Sequence, residues 1–213
     1  MWPRLAGYHG PLDNDMTILI ILGHPSPGSF NHAIARTASE ALAANGHRVI
    51  LRDLYAEGFD PVLPASELAK DAVLPAGVAR HVEEVCAADG LVIVHPNWWS
   101  QPPAIVRGWT DRVLRAGRAY RFVPDGQGGA RSEGLLRARV GIVFNTANTP
   151  QEKEVELYGD PLELLWRRVV FGLCGVPTVC RRNFSPVIVS TPAQREAWLH
   201  EVRDLVSAQF PRS

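Results

Sequence analysis

Short apolar runs, spaced so that a helical stretch fits between them, constrain this chain more than any other feature. Thr17-Ile18-Leu19-Ile20-Ile21-Leu22 is the first. Val49-Ile50-Leu51, Leu91-Val92-Ile93-Val94 and Val140 to Phe144 follow, and Val176 to Val179, with a possible continuation through Val187 to Val189, is the last. Runs of this length without polar alternation read as strands buried on both faces. The intervening segments carry helical spacing. Ile34, Ala38, Ala41 and Leu42 share a face ahead of Gly46, and Val78, Val82, Val85 and Cys86 share another ahead of Gly90. Ile105, Trp109 and Val113 mark a third helix, and Pro161 to Leu173 a fourth, apolar almost all round and so expected to be buried. The last helix carries Thr191 as cap, Pro192 in its first turn and Gln194 completing a capping box, with Trp198, Val202, Leu205, Val206 and Phe210 as its stripe. Residues 61–76 and 117–137 read as loops, the first with one turn of helix.

Alternating strands and helices predict an α/β fold with a five-stranded parallel sheet covered on both faces. Right-handed crossovers give the strand order 2-1-3-4-5. Residues 16–213 fit one domain, and residues 1–15 read as an N-terminal extension without the apolar centre of a signal peptide. No apolar stretch is long enough to span a membrane. The 22 basic residues equal the 22 acidic ones, so no basic excess points to a nucleic-acid partner. Cys86, Cys174 and Cys180 lack metal-ligand spacing and read as reduced thiols of a cytoplasmic protein.

In such a sheet ligands bind beyond the carboxyl ends of the strands, where strand order reverses. Three loops meet there: GHPSPGSFNHA, HPNWWSQPPA and NTANTP. The first places Ser26, Gly28, Ser29 and Asn31 just before a helix, where free backbone N–H groups and the helix dipole suit an anion, with His24 as a further donor. The simpler reading is that Asn31 caps the helix and the serines serve a turn. The second loop carries two adjacent tryptophans, Trp98 and Trp99, whose rings could cover a flat conjugated molecule or pack beneath the loop. Trp109 reads as core or as a subunit contact. A flat conjugated group beside a phosphate loop suggests a flavin. The G-x-G-x-x-G fingerprint, the P-loop lysine and the G-x-S-x-G elbow are all absent. His24 and His95 come without a third metal ligand, so no metal site is expected.

The stretches GHPSPGSFNHAIA, DLYAEGFDPVL, ADGLVIVHPNWWSQPPAIVRGWTDRVL and RAYRF together resemble the NAD(P)H:quinone oxidoreductases of the DT-diaphorase family. Beyond residue 140 the match is looser, through LYGDPLELLW and LCGV. The resemblance implies a flavodoxin-like three-layer sandwich and a bound flavin, FAD in many members and FMN in some. It implies hydride transfer from NAD(P)H to the flavin and on to a quinone-like acceptor by ping-pong kinetics, in a homodimer with its sites between subunits. By motif, His24, Ser29, Phe30 and Asn31 would hold the flavin phosphate side chain. Pro96, Asn97, Trp98 and Trp99 would run along the ring system, and Asn145, Thr146, Ala147 and Asn148 would approach from the fourth strand. Tyr120 and Phe122 match the substrate-pocket aromatics.

Two departures matter. The family's Thr-Thr-Gly-Gly loop reads Asn145-Thr146-Ala147-Asn148 here, which leaves less freedom for close backbone approach. DT-diaphorase carries a tyrosine and a histidine beyond this loop that stabilise charge on the reduced flavin. The histidine position falls on Tyr158 and the tyrosine position near Glu152. A tyrosine hydroxyl can donate to an anionic oxygen but carries a proton less readily than imidazole. Tyr158 is therefore the candidate catalytic residue, with a helix-entry role beside Gly159-Asp160-Pro161 as the alternative. Two other functions remain open: a flavin-bearing ancillary subunit of a membrane transporter, and a flavodoxin-type electron carrier, against which the zero net charge speaks. FAD against FMN, NADH against NADPH and the identity of the acceptor stay undetermined.

Overall fold

The computed structural model describes residues 15–212. Of the expected N-terminal extension only Asp15 lies within that range. The main sheet is built from β1 (Thr17–Leu22), β2 (Arg48–Asp53), β3 (Gly90–Pro96), β6 (Val140–Thr146) and β7 (Thr178–Phe184). All neighbours are parallel, in the order β2-β1-β3-β6-β7. This is the 2-1-3-4-5 order expected from the apolar runs, once the separate hairpin of β4 (Tyr120–Pro124) and β5 (Ala130–Gly134) is set aside.

Alternation along the buried strands divides the core in two. Ile18, Ile20 and Leu22 of β1 face α1 (Phe30–Ala44) and α7 (Pro192–Gln209), through Ile34, Ala38, Trp198 and Val202. Leu19 and Ile21 face α2 (Ala76–Ala87) and α3 (Ala104–Val113), through Val82, Val85, Ile105 and Trp109. The second side is completed by a continuous helical run, residues 161–174. It is α-helical over α5 (Pro161–Leu164), π-helical over Leu165–Val170 and α-helical again over α6 (Phe171–Cys174). Trp109 is core, and its indole N–H donates to His81 Nδ1 at 3.2 Å. Among the described residues no helix is long and apolar enough to cross a membrane. All three cysteines are free, and burial raises the Cys174 thiol to about 12.

Several elements differ from expectation. Residues 117–137 hold the β4–β5 hairpin, closed by a turn in which Asp125 accepts N–H groups of Gln127 and Gly129. Its second strand, ARSEG, carries no apolar alternation and so gives no strand signal. The last strand runs Thr178–Phe184 and stops before Val187, with Ile188 and Val189 exposed. Arg181 and Arg182 masked it, because two arginines interrupt an apolar pattern. The Arg181 side chain is nonetheless buried against Asp160 at 2.7 Å, and Arg182 pairs with Glu201 of α7 at 2.7 Å. The run 161–174 is not buried all round: Leu162, Trp166, Val170 and Phe171 face the core, while Leu164 and Val169 face outward. The π turn shifts the phase of its apolar positions.

Candidate functional site

The carboxyl ends of β1, β3 and β6 lie side by side, and their loops enclose a cavity of about 920 Å³. The β1–α1 loop crosses close beneath α3. A Cβ on Gly23 would run into Val106, so only glycine permits that approach. Gly28 takes a positive φ of 77°, and Ser29 then caps α1, its Oγ accepting from the His32 N–H at 3.4 Å. Asn31 follows inside the helix. It is only 3 % exposed, and its Nδ2 donates to Thr146 Oγ1 at 2.9 Å, which ties the start of α1 to the end of β6. The expected capping role belongs to Ser29 rather than Asn31.

The tryptophan loop is anchored at its root by Asn97 N–H donating to the Thr146 carbonyl at 2.7 Å. Trp98 and Gln101 then exchange two backbone hydrogen bonds of 3.0 Å across a tight turn. The two residues at its tip, Trp99 and Ser100, have φ of 55° and 56°. Glycine or asparagine usually fills such left-handed positions, and each costs a bulkier residue roughly 1–3 kcal/mol. Trp99 projects almost free of the chain, 98 % exposed, and Trp98 is 43 % exposed. Neither ring packs beneath the loop as core. Ser100 Oγ donates to Glu154 Oε1 at 2.6 Å and so straps the turn to α4 (Gln151–Tyr158).

His24, Ser29, Phe30, Asn31, Pro96, Asn97, Trp98, Trp99, Thr146, Ala147, Asn148 and Tyr158 all line the cavity. Asn145 does not. It is fully buried, with Nδ2 3.0 Å from His95 Nε2 and Oδ1 accepting from Arg181 Nε at 2.6 Å. Its amide holds β6 against β3 and β7. Tyr120 and Phe122 stand apart on β4, with their rings 5.7 Å from each other and Phe122 exposed. Tyr158 closes α4 rather than opening a helix, since Gly159 ends α4 with φ 71° and Asp160 caps α5. Glu154, Ser100, Gln101, Thr149, Pro161 and Val187 also line the cavity, although sequence reasoning did not single them out. Glu154 carried a usable signal: it stands four residues before Tyr158 and shares its helix face.

Two features of the lining suit a polar planar ligand. Asn31 Oδ1 and Asn97 Oδ1 are buried without a hydrogen-bond partner, and buried polar atoms of this kind are costly unless a ligand satisfies them. The start of α1 offers backbone N–H groups beside the Ser29 hydroxyl. Nearby histidines are tuned differently. Burial lowers His24 below the ordinary imidazole value, against the raising effect of the Ser26 carbonyl. Burial takes His95 down to about 4. Trp166 Nε1 donates to His95 Nε2 at 2.9 Å, and His95 Nδ1 lies 2.8 Å from the Pro96 carbonyl, so the ring is a neutral Nδ1–H tautomer locked into the core. His95 is a packing residue, not a partner of His24. Among the described residues no group of three or more His, Cys, Asp or Glu could hold a metal ion.

A parallel sheet in this order, helices on both faces and a cavity at its switch point define a flavodoxin-like α/β protein. The chain belongs to the family of flavodoxin-like fold, whose model matches residues 16–205. A Haemophilus influenzae protein named an uncharacterized NAD(P)H oxidoreductase is 32 % identical over 86 % of this chain and 91 % of its own length. Among solved structures, Smu.1420 from Streptococcus mutans superposes with a TM-score of 0.79 at 31 % identity, covering 91 % of this chain and 100 % of that one. The NAD(P)H:quinone oxidoreductase from Methanothermobacter marburgensis superposes with a TM-score of 0.75 at 26 % identity, covering 92 % and 98 %.

Proposed function

We propose that this protein is a flavin-dependent NAD(P)H:quinone oxidoreductase. The observation that carries the reading is the cavity at the strand ends, where a helix start, two unpaired buried amide oxygens and two exposed tryptophans converge. Their chemistry fits a phosphate-bearing conjugated ring system, and the names of the similar oxidoreductases support it. A bound flavin, FAD or FMN, supplies the two-electron hydride chemistry.

The chain's own residues bind, orient and exclude water. The start of α1, with Ser29 and His24, receives the phosphate side chain, and Phe30 and Asn31 line the passage beside it. Pro96, Asn97 and Trp98 border the ring, with Thr146, Ala147 and Asn148 on the β6 side. NAD(P)H and then the acceptor use the open side of the same cavity in turn, which gives ping-pong kinetics. Tyr158 offers a hydroxyl donor toward charge that develops there. Trp99 reaches out from the cavity rim, and Tyr120 and Phe122 stand away from it. This arrangement suits a homodimer in which the hairpin aromatics of one copy complete the pocket of the other. The outward apolar residues Val155, Leu157, Leu164 and Val169 offer the surface for that contact. The functional unit in this reading is a single domain acting in the cytoplasm on a small quinone-like acceptor.

A visible absorption spectrum of the purified protein with added FAD or FMN, repeated after anaerobic NADPH or NADH, tests the proposal. A bound flavin that bleaches in one two-electron step is the expected result and identifies the preferred donor. A bound flavin that neither nicotinamide reduces would shift the reading to a carrier or an ancillary subunit. Absence of flavin binding would remove it.

A further inference from the structure

Behind the cavity wall, three side chains that the proposed chemistry does not use as a unit form a continuous relay. Ser29 Oγ lies 2.8 Å from His32 Nδ1, and His32 Nε2 lies 3.1 Å from Asp53 Oδ2. The other carboxylate oxygen, Asp53 Oδ1, accepts the Tyr55 and Ala56 N–H groups at 3.1 Å each. An ionised carboxylate only accepts, so His32 Nε2 carries a hydrogen. In the neutral ring Nδ1 is then a bare acceptor, and the Ser29 hydroxyl must donate to it. Ser29 Oγ also accepts the His32 backbone N–H as helix cap. With its one proton spent on His32, Ser29 has none for a ligand. Protonation of His32 reverses the bond: Nδ1–H donates to Ser29 Oγ, and the hydroxyl proton becomes free.

Ser29 borders both the main cavity and a second groove of about 470 Å³ that contains His32 and Asp53. An independent feature marks the main cavity as a ligand site at this point. Asn31, two residues on and only 3 % exposed, lines it with Oδ1 unpartnered. We propose that His32, held by Asp53, is a positioning residue that switches the Ser29 hydroxyl from imidazole to the phosphate of the bound cofactor, so that cofactor binding takes up one proton. The inference rests on the flavin reading for the identity of the phosphate.

Titratable and charged groups border His32 from the β1–α1 loop, α1 and β2. From the β1–α1 loop, the His24 ring stands 6.2 Å away edge-on, and burial lowers it below the ordinary imidazole value. From α1, Arg36 and Glu40 border the same groove and pair with each other at 3.9 Å. From β2, Asp53 is the carboxylate that faces the ring. Linkage requires reciprocity: if the proton strengthens phosphate binding, the phosphate must strengthen proton binding by the same factor.

The test is FAD affinity at about pH 5.5 and about pH 8, for the wild type and His32→Gln, with riboflavin as the control that lacks phosphate. FAD is suitable because its pyrophosphate does not titrate in this window. The wild type should bind FAD roughly tenfold tighter at the lower pH, the scale of one hydrogen bond to a charged group. Riboflavin affinity should not change, and His32→Gln should flatten the FAD dependence. In the wild type, the NMR titration midpoint of the His32 ring should rise on adding FAD and not on adding riboflavin, a readout that needs no variant. Equal pH dependence in His32→Gln and wild type, or a midpoint that FAD does not move, would overturn the relay while leaving flavin binding intact. Should FAD fail to bind at any pH, inorganic sulfate becomes the probe. Sulfate binding that tightens with His32 protonation keeps the relay and removes the flavin reading. Sulfate that fails to bind, or binds without regard to His32, overturns the relay as well.

Discussion

Ser100 and Glu154 join two elements that the backbone leaves independent. A single 2.6 Å hydrogen bond from Ser100 Oγ to Glu154 Oε1 ties the tip of the tryptophan turn to α4. Glu154 is buried, and the Ser100 hydroxyl is a donor that compensates its carboxylate. Glu154→Ala should free the turn. Hydrogen exchange at the Trp98 and Gln101 amides, which close it, should speed up by roughly tenfold, since a bond to a charged group contributes about 1.5–3 kcal/mol. Glu154→Gln keeps an acceptor oxygen at the same reach and should retain most of the protection. Equal exchange in wild type and the alanine variant would mean that the strap does not hold the turn.

Trp99 presents the opposite relation between stability and use. Its left-handed φ of 55° carries a backbone cost that its nearly free side chain does not offset by packing. Trp99→Gly should therefore stabilise the protein, by about 1 kcal/mol in a urea melt. In the proposed function the same substitution should weaken flavin or acceptor binding, because it removes an aromatic surface from the cavity. Strain retained at a ligand site in this way is what a stability–activity trade-off looks like in a fold. A destabilised Trp99→Gly would show that the turn is not strained.

The sheet was legible because its strands are buried on both faces, and apolar runs such as Ile18 to Leu22 admit few other readings. The order of the strands then placed three loops together, and most of the residues picked from those loops border the cavity. What stayed hidden depends on contacts between distant parts of the chain. Arg181 sits in a strand because Asn145 and Asp160 accept from its Nε and Nη1, and neither partner is near it in sequence. Asn145 was read as a loop residue facing the ligand. It is instead a buried residue within β6, since β3 and β6 continue in register to the Pro96 and Thr146 pair, beyond the apolar run. The relay through His32 needed Asp53, which lies beyond the apolar run Val49 to Leu51 and meets His32 only in the fold.

Glu67 and Arg112 make a fourth case of distant pairing, and a testable one. Residues 61–76 read as a loop, and the loop is held by a buried bidentate pair: Arg112 Nη2 to Glu67 Oε1 at 2.5 Å and Nε to Oε2 at 3.0 Å. Both side chains are almost wholly buried. Arg112 also donates to the Asp60 carbonyl at 2.5 Å, so one guanidinium fixes the start and the middle of the segment against α3. Glu67→Ala should destabilise the protein by about 3–5 kcal/mol, because it strands a buried cation. Replacing both partners with apolar residues of similar volume should cost far less. Chemical denaturation of the single and double variants separates the two outcomes, and a single variant within 1 kcal/mol, roughly, of wild type would contradict the buried-pair argument.

His95 gives the protein its expected acid sensitivity. The folded ring titrates at about 4, against about 6.5 in an unfolded chain. Between those values the unfolded state binds the extra proton and the folded state does not, so stability must fall as pH drops from about 6.5 to about 4. The full span corresponds to about 3 kcal/mol at 1.36 kcal/mol per pH unit. Burial also lowers His81, whose ring meets Glu57 at 3.1 Å, and it pulls in the same direction. Urea melts at about pH 7 and about pH 4.5 should therefore show the wild type losing stability. His95→Asn, which cannot take up the proton, should start less stable at pH 7, because Trp166 Nε1–H loses its acceptor. It should then lose less on acidification, so that the two curves converge toward pH 4. Parallel curves would mean that His95 is not the group whose protonation the folded state resists, and the acid sensitivity would have to be assigned to His81 and the carboxylates instead.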